Sequence, residues 1–411
     1  MLTKILHTSD WHLGKKLFKE SRLDEQKKFL QWLIDTVKTQ KITHLLVAGD
    51  IFDTPTPPAK AIDLFYNFLK TLSELNTCKI YIIAGNHDSA RHLSAPSEFL
   101  NKHNIFLIGP LINQGGEFLL DNFNFKLDTE LNLFCLPFFR IHEIIWCAEK
   151  LGIEEDDENK ETSAYFLKCL ELIIEKAIKQ HSGKNILMTH HLLGSFQSAG
   201  SEQGLNLSGL ESLPLSMFTS KFEYLALGHI HKPQFIKKAN PIAYYSGSPI
   251  PLRFSETEEK SVSVLSWDKG ELVQEILSIP SFRPLQTLKL TDDNYLNELA
   301  EFLERFPNLN ALEGFLNIEI ELQEARSNMA DNIRTLLKDT NWKLVSFIPK
   351  LPNKRMNKNF NLDVSTMAST EKMFEIFYNE QFPDSKNIPT KIMKEFRELL
   401  EDVQVLEEGV Q

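Results

Sequence analysis

Residues 4–90 alternate short apolar runs with amphipathic stretches, and this alternation restricts the chain to few folds. The runs at 4–9, 43–48 and 79–84 are of strand length, and two segments of helical periodicity lie between them. In the first, over 24–38, Phe29, Leu30, Leu33, Ile34 and Val37 recur at spacings of three and four and share one face. The second opens after Pro57-Pro58, where proline's missing N–H is one that a helix start would leave unpaired. A β-α-β-α-β order of this kind predicts an α/β fold with a buried, parallel-type sheet covered by helices. Functional residues are then expected on loops just past the C-terminal ends of the strands.

Further strands are predicted at 105–108, 123–127 and 131–136, a helix over 163–179, and strands at 185–189, 222–227 and 243–246. Residues 261–279 alternate on both sides of Asp268-Lys269-Gly270, a β-hairpin pattern that closes a first domain over 1–280. Past Pro280 and Pro284 the pattern restarts. Strands at 285–290, 314–322 and 342–348 with helices at 294–305 and 328–338 make a small α/β domain over 281–349. Residues 350–366, with Lys350, Lys354, Arg355 and Lys358, read as a linker, and 367–411 as C-terminal helices. There Ile392, Phe396, Leu399, Val403 and Leu406 repeat by four and three, the seam of a helix lying along another helix. The acidic run 154–158 reads as a solvated loop tip.

Composition narrows the class of function. The net charge of −11, from 45 basic and 56 acidic residues, excludes a protein that coats nucleic acid through bulk positive charge, but not one that grips phosphates locally. Cys78, Cys135, Cys147 and Cys169 form no C-x-x-C pair, which points to a reducing compartment. The N-terminus shows no signal-peptide pattern, and no apolar run approaches the roughly 18 residues of a membrane span. A cytoplasmic, multi-domain protein with no membrane association is the expectation.

Five polar segments each follow a predicted strand: Asp10-Trp-His12, Gly49-Asp50-Ile-Phe-Asp53, Gly85-Asn86-His87-Asp88, Thr189-His190-His191 and Gly228-His229-Ile-His231. Asp, His and Asn are ligands for hard-to-borderline divalent ions. None of the four cysteines lies in these segments, which argues against a closed structural zinc site. With Asp10 and Asp50 ionised, the protein supplies about −2 against the +4 of two dications, and a carboxylate shared between the ions would lessen their repulsion. Asp50, in a middle segment, is the natural shared ligand. The residual positive charge suits an anionic phosphodiester and an acidified water, the chemistry of two-metal phosphoester hydrolysis. The adjacent pair leaves the ligand open between His190 and His191. Asp53 is either a carboxylate behind the ligands or the cap of the segment that follows.

The order D-x-H, G-D-x-x-D, G-N-H-D, T-H-H, G-H-x-H is similar to that of the calcineurin-like metallophosphoesterase superfamily. Within it the segments at 6–14, 47–54, 84–89, 225–231 and 245–252 resemble the bacterial SbcD family, nuclease subunits of SbcCD complexes and counterparts of the double-strand-break-repair nucleases. The resemblance covers residues 1 to about 255 and fades toward the C-terminus. It implies a metallophosphoesterase β-sandwich flanked by helices, then a small capping domain and C-terminal helices that dock on an SbcC-type, SMC-like ATPase partner. It implies one manganese site from Asp10, His12, Asp50 and His231, and a second from Asp50, Asn86, His190 and His229, with His190 favoured over His191. His87 matches a catalytic histidine that donates to phosphoryl oxygens or the leaving 3′-oxygen, with Asp88 orienting it. DNA as substrate, exonuclease and endonuclease activities in repair, recombination and replication, and a homodimer within a heterotetramer follow from the same resemblance.

The sequence leaves two other readings. One is a metallophosphatase or phosphodiesterase of non-DNA substrates, although protein phosphatases of the superfamily read Gly-Asp-x-x-Asp-Arg-Gly where this chain has Asp53-Thr54-Pro55. The other is a non-catalytic scaffold, which the complete ligand set and His87 oppose. Lys15, Lys16, Lys19 and Arg22 after the first ligands, and Arg253 after the last, are candidate phosphate contacts.

Overall fold

The computed structural model describes residues 3–112, 123–150, 152, 163–179, 182–194, 212–219, 221–237, 239–307, 312–322 and 328–350, and single positions from 374 to 396. In chain order the elements are β1 (Ile5–Thr8), β2 (Lys16–Leu17), β3 (Glu20–Ser21), α1 (Leu23–Thr39), β4 (His44–Ala48), α2 (Ala59–Ser73), β5 (Lys79–Ile83), α3 (Ala90–Ser94), α4 (Ser97–Asn101) and β6 (Ile105–Ile108). There follow β7 (Asn124–Lys126), β8 (Leu131–Leu136), α5 (Ile141–Lys150), α6 (Ser163–Lys179), β9 (Lys184–Thr189), β10 (Tyr224–Leu227), β11 (Gln234–Phe235), β12 (Ile242–Tyr245), β13 (Ser261–Asp268) and β14 (Glu271–Ser278). The last are β15 (Leu285–Thr291), α7 (Tyr295–Arg305), β16 (Gly314–Glu321), α8 (Met329–Leu337) and β17 (Trp342–Lys350).

Two six-stranded sheets stack face to face, in the orders β14-β13-β1-β4-β5-β6 and β11-β12-β10-β9-β8-β7. The alternation of side chains along β1, β4 and β5 divides each strand between two cores. Ile5, Leu46, Ala48, Tyr81 and Ile83 pack into the core that includes the second sheet, α5 and α6. Leu6, Leu45, Val47, Ile80 and Ile82 pack with the apolar face of α1 and α2. Burial on both faces explains why these strands are continuously apolar in sequence. The sheet is not wholly parallel: β13 pairs antiparallel with β1, and β13 and β14 form the expected hairpin, turning at Lys269 and Gly270 with positive φ.

A third sheet, β15-β16-β17, is parallel and covered by α7 and α8 around Leu299, Leu316, Ile318 and Ile333. It is tied to the sandwich by Arg283. Its Nε donates to Glu25 at 2.5 Å, its guanidinium also donates to the Glu313 carbonyl, and it lies 4.1 Å from the Phe315 ring. The chain divides into two compact units, Met1–Leu351 and Pro352–Gln411. In the second, the Phe374 ring stacks on Phe396 at 3.9 Å. Most of the expected linker, all of its basic residues except Lys350, and the seam beyond Phe396 lie outside the described residues, as does the acidic run 154–158. Among the described residues no helix is long and apolar enough to cross a membrane.

Candidate metal centre

Four of the expected metal donors occupy backbone conformations that L-residues avoid. Asp10 (φ 53°), His12 (φ 44°), Asp50 (φ 52°) and His229 (φ 83°) are all left-handed, at a cost of order 1–3 kcal/mol each. Neighbouring backbone holds them there. The Asp10 N–H donates to the Gly49 carbonyl at 3.0 Å, His12 N–H to Asp50 at 3.0 Å and Leu13 N–H to Ile51 at 2.9 Å, so the loops after β1 and β4 run side by side. Close approach from the second sheet needs Gly228, where an added Cβ would stand 1.9 Å from the Ala48 carbonyl oxygen and 2.6 Å from His190 Nδ1. At Gly85 it would stand 2.2 Å from Asp50 Oδ1.

The strand ends thus bring Asp10, His12, Asp50 and His231, all buried, within 4.8 Å of one another through their ligand atoms. His12 Nε2 faces His231 Nε2 at 3.1 Å. Asp50 Oδ2 lies 3.4 Å from His12 Nε2 and 3.3 Å from His190 Nε2, between the two halves of the cluster. In the second half, Asn86 Oδ1 lies 3.1 Å from His190 Nε2 and 2.9 Å from His229 Nδ1. All seven expected metal donors are therefore at one place. Imidazole nitrogens and carboxylate oxygens turned toward a common point, with no thiol among them, are a donor set for divalent cations.

His190 and His191 go to different places. His190 turns into the cluster with Nδ1 on the Ala48 carbonyl at 2.7 Å, whereas His191 accepts from the Phe139 N–H at 3.1 Å and its ring packs 3.9 Å from that of Phe139. Burial pushes His191 well below the usual imidazole range, with His190 and His229 adding to the effect. For Asp50 burial acts upward, but the His190, His12 and His87 rings outweigh it and hold the carboxyl well below the carboxylate range. Reciprocally, burial lowers His190 but Asp50 and Asp10 carry it up to about 9. Asp10 is raised to about 6, chiefly by burial and also by Asp50. Its oxygens accept from Ser9 Oγ and from the His229 N–H at 3.0 Å.

His87 and Asp88 are engaged separately. Asp88 was expected to orient His87, but its carboxylate accepts from the backbone N–H groups of Ile51, Phe52 and Gly85 at 2.9–3.1 Å, fixing the turn that carries Asp50. The His87 ring instead donates from Nδ1 to the Asp53 carbonyl at 2.8 Å. The Asp53 carboxylate lies 3.3 Å from His12 Nδ1 and takes a 2.8 Å hydrogen bond from Lys15 Nζ. Of the two sequence readings for Asp53, a carboxylate behind the ligands is the one that describes these contacts. Burial raises Asp53, but His12 and Lys15 bring it down to about 2.

The calcineurin-like phosphoesterase family model matches residues 3–233. The SbcD nuclease of the SbcCD complex from Bacillus subtilis is 32% identical over 336 residues, spanning 79% of this chain and 80% of that one. Its counterpart in Escherichia coli K12 is 31% identical, over 81% and 82% of the two chains. That of Rhodobacter capsulatus is 32% identical over 70% and 71%. The chain belongs to the SbcD family of calcineurin-like phosphoesterases. It is accordingly a metal-dependent phosphodiester hydrolase, the class that the donor segments suggested. The similarity to SbcD proteins runs beyond the family-model match at residue 233, spanning 336 residues in the Bacillus subtilis case.

Several supporting groups escaped the sequence reading. Gln26 donates to the His12 carbonyl at 2.7 Å and accepts from the Gly14 N–H at 3.0 Å. Lys260, buried, donates to the His231 carbonyl at 3.1 Å and to Glu256 at 2.7 Å, and Glu256 lies 4.0 Å from His231 Nδ1. The i, i+4 spacing of Glu256 and Lys260 was the available signal, but the same spacing is common on solvated helices. Arg22, expected among the phosphate contacts, is buried: it is bound to Glu25 and donates to the Pro251 carbonyl at 2.9 Å. Its charge is spent on the fold.

Proposed function

We propose that this chain is the nuclease subunit of an SbcCD-type complex. It hydrolyses DNA phosphodiester bonds 3′-5′ from double-strand ends, and endonucleolytically in single-stranded or hairpin DNA, during repair, recombination and replication. The observation that carries the reading is the convergence of seven donors on two adjoining clusters that share Asp50 Oδ2. In this reading Asp10, His12, Asp50 and His231 hold one cation, and Asp50, Asn86, His190 and His229 hold the other; both are manganese. Bound there, the pair would neutralise the phosphodiester and supply an acidified water.

The chain's own groups do the rest. Asp50 accepts from the His87 N–H at 2.9 Å, so the segment carrying His87 is fixed relative to the shared ligand. His87, held at Nδ1 by Asp53, keeps Nε2 as the nitrogen from which a protonated ring donates to a phosphoryl oxygen or the leaving 3′-oxygen. The small domain caps the centre and positions duplex ends. The C-terminal helices dock on an SbcC-type ATPase within a heterotetramer built on a homodimer. Four free, buried cysteines agree with a reducing cytoplasm.

The test is digestion of end-labelled duplex, hairpin and single-stranded DNA across manganese, magnesium and zinc, with and without the ATPase subunit. Manganese-dependent cleavage supports the reading. Hydrolysis of a chromogenic phosphomonoester with no DNA cleavage would replace it with a phosphatase.

A further inference from the structure

We propose that a cleft beside the metal donors holds the unpaired end of a DNA strand, with the Phe18 ring as a stacking surface for a base. The inference rests on the nuclease reading above and deepens it. β2 and β3 form a hairpin with Lys16 opposite Ser21 and Leu17 opposite Glu20, leaving Phe18-Lys19 as a two-residue turn. Such turns favour Asn, Asp or Gly, because their residues need positive φ. Here a phenylalanine takes that conformation (φ 54°) and is 60% exposed. Neither backbone preference nor burial accounts for a large aromatic ring at this tip.

The ring is not isolated. It lies 6.2 Å from Phe254, tilted by 45°, and both line a cleft of about 550 Å³ together with Lys15, Lys16, Arg253 and, on the small sheet, Asn317. Acidic groups around it are neutralised: Glu319 pairs with Lys350 at 2.5 Å and Glu20 with Lys343 at 2.7 Å. With Lys15 paired to Asp53 at 2.8 Å, the cleft is aromatic through Phe18 and Phe254 and cationic through Lys16 and Arg253. That combination recognises single-stranded nucleic acid through its phosphates and open base faces, with little preference for sequence. A paired duplex offers no free base face inside its stack.

Both walls lead back to the metal donors. The Lys15 N–H donates to the His12 carbonyl at 3.0 Å. On the other wall the Leu252 N–H donates at 3.1 Å to Glu256, whose carboxylate lies 4.0 Å from His231 Nδ1. A strand with one phosphate at the donors thus has a path for its next nucleotides along Phe18. This selects frayed or unpaired ends over blunt ones.

The experiment uses the full chain in EDTA with a short single-stranded oligonucleotide carrying 2-aminopurine near its end, and a blunt duplex for comparison. Phe18→Ala should weaken single-strand binding about tenfold, the size of one base–aromatic stack, and abolish the fluorescence quench. Phe18→Trp should restore both, and all three proteins should bind manganese with the same stoichiometry. Unchanged single-strand affinity in Phe18→Ala, an equal loss on the blunt duplex, or no rescue by Trp would each overturn the proposal. Failure of the nuclease reading looks different: the unsubstituted protein itself would neither bind the oligonucleotide nor cleave DNA with manganese.

Discussion

The backbone carbonyl of Asp53 accepts a hydrogen bond from Nδ1 of His87 at 2.8 Å. A carbonyl has no proton to give, so Nδ1 carries the hydrogen and Nε2 is the nitrogen available for chemistry. Replacing the Asp53 side chain leaves that carbonyl in place. His87→Ala should therefore keep both metals and lose DNA cleavage by roughly 10²- to 10⁴-fold. Asp53→Asn should act through His12 instead, lowering metal affinity roughly 10- to 100-fold while sparing turnover at saturating manganese. Calorimetric metal titration beside end-labelled digestion separates the two; near-normal cleavage by His87→Ala would remove it from the reaction.

Asp50 Oδ2 lies 3.4 Å from His12 Nε2 and 3.3 Å from His190 Nε2, whereas the Asn86 amide oxygen lies against His190 and His229, both in the second cluster. The two residues are thus expected to fail differently. Asp50→Asn removes the shared negative charge and should lose both bound cations. Asn86→Ala should lose one and retain the other, giving a stoichiometry near one in the same titration. Two tight sites in Asp50→Asn would show that the clusters do not share it.

Much of this was legible in the sequence because strand ends, glycines and donor types coincide five times, and each strand is apolar enough to place its end. The first sheet's strands, α1, α2, α6 and the small sheet fell within a few residues of their expected limits. α3 and α4 are five residues each, too short to display a period, and β2 and β3 are two residues each. Division of the strands into two stacked sheets is a tertiary choice that no local pattern encodes. The same holds for what lies behind the ligands. Asp53 and Asp88 both stand in the motif segments, but which of them meets the His87 ring depends on how the loops after β4 and β5 cross. Arg22 looked like a surface cation because its partners, Glu25 and Pro251, come together only through folding.

His7, on β1 between the sheets, should make the fold sensitive to acid. Burial lowers its pKa from 6.5 to about 3, and its Nδ1 lies 3.1 Å from the Tyr224 hydroxyl. Above pH 6.5 the ring is neutral in both the folded and unfolded chain and pH has no effect through it. As pH falls below 6.5 the unfolded chain takes up the proton and the folded one does not, so stability declines until about pH 3. At pH 5 the loss is about 2 kcal/mol from this group. His44, lowered to about 4 by burial and then Lys79, acts in the same direction. His7→Gln should flatten the dependence of the unfolding midpoint between pH 6.5 and 4, whatever it does to stability at pH 7.5. An unchanged slope would mean that His7 protonates in the folded chain.

The buried group formed by Arg22, Glu25 and Arg283 predicts how the small sheet is held. One carboxylate serves both arginines: Arg22 donates through Nε at 2.7 Å and through Nη2, and Arg283 through Nε at 2.5 Å. All three residues are buried, so the attraction is little screened by solvent, and removing the anion would leave two guanidinium groups facing each other. Glu25→Gln should cost about 3–5 kcal/mol. By contrast, Asp331→Asn breaks an exposed pair with Arg334 and should cost well under about 1 kcal/mol. Arg283 also donates to the Glu313 carbonyl just before β16, the middle strand of the small sheet, so the loss should loosen that attachment as well as lower the melting temperature. Limited proteolysis reports this directly: cleavage in the 280–284 segment should accelerate in Glu25→Gln and not in Asp331→Asn. Equal melting temperatures and equal cleavage in the two variants would mean that apolar contacts, rather than this shared carboxylate, hold the small sheet in place.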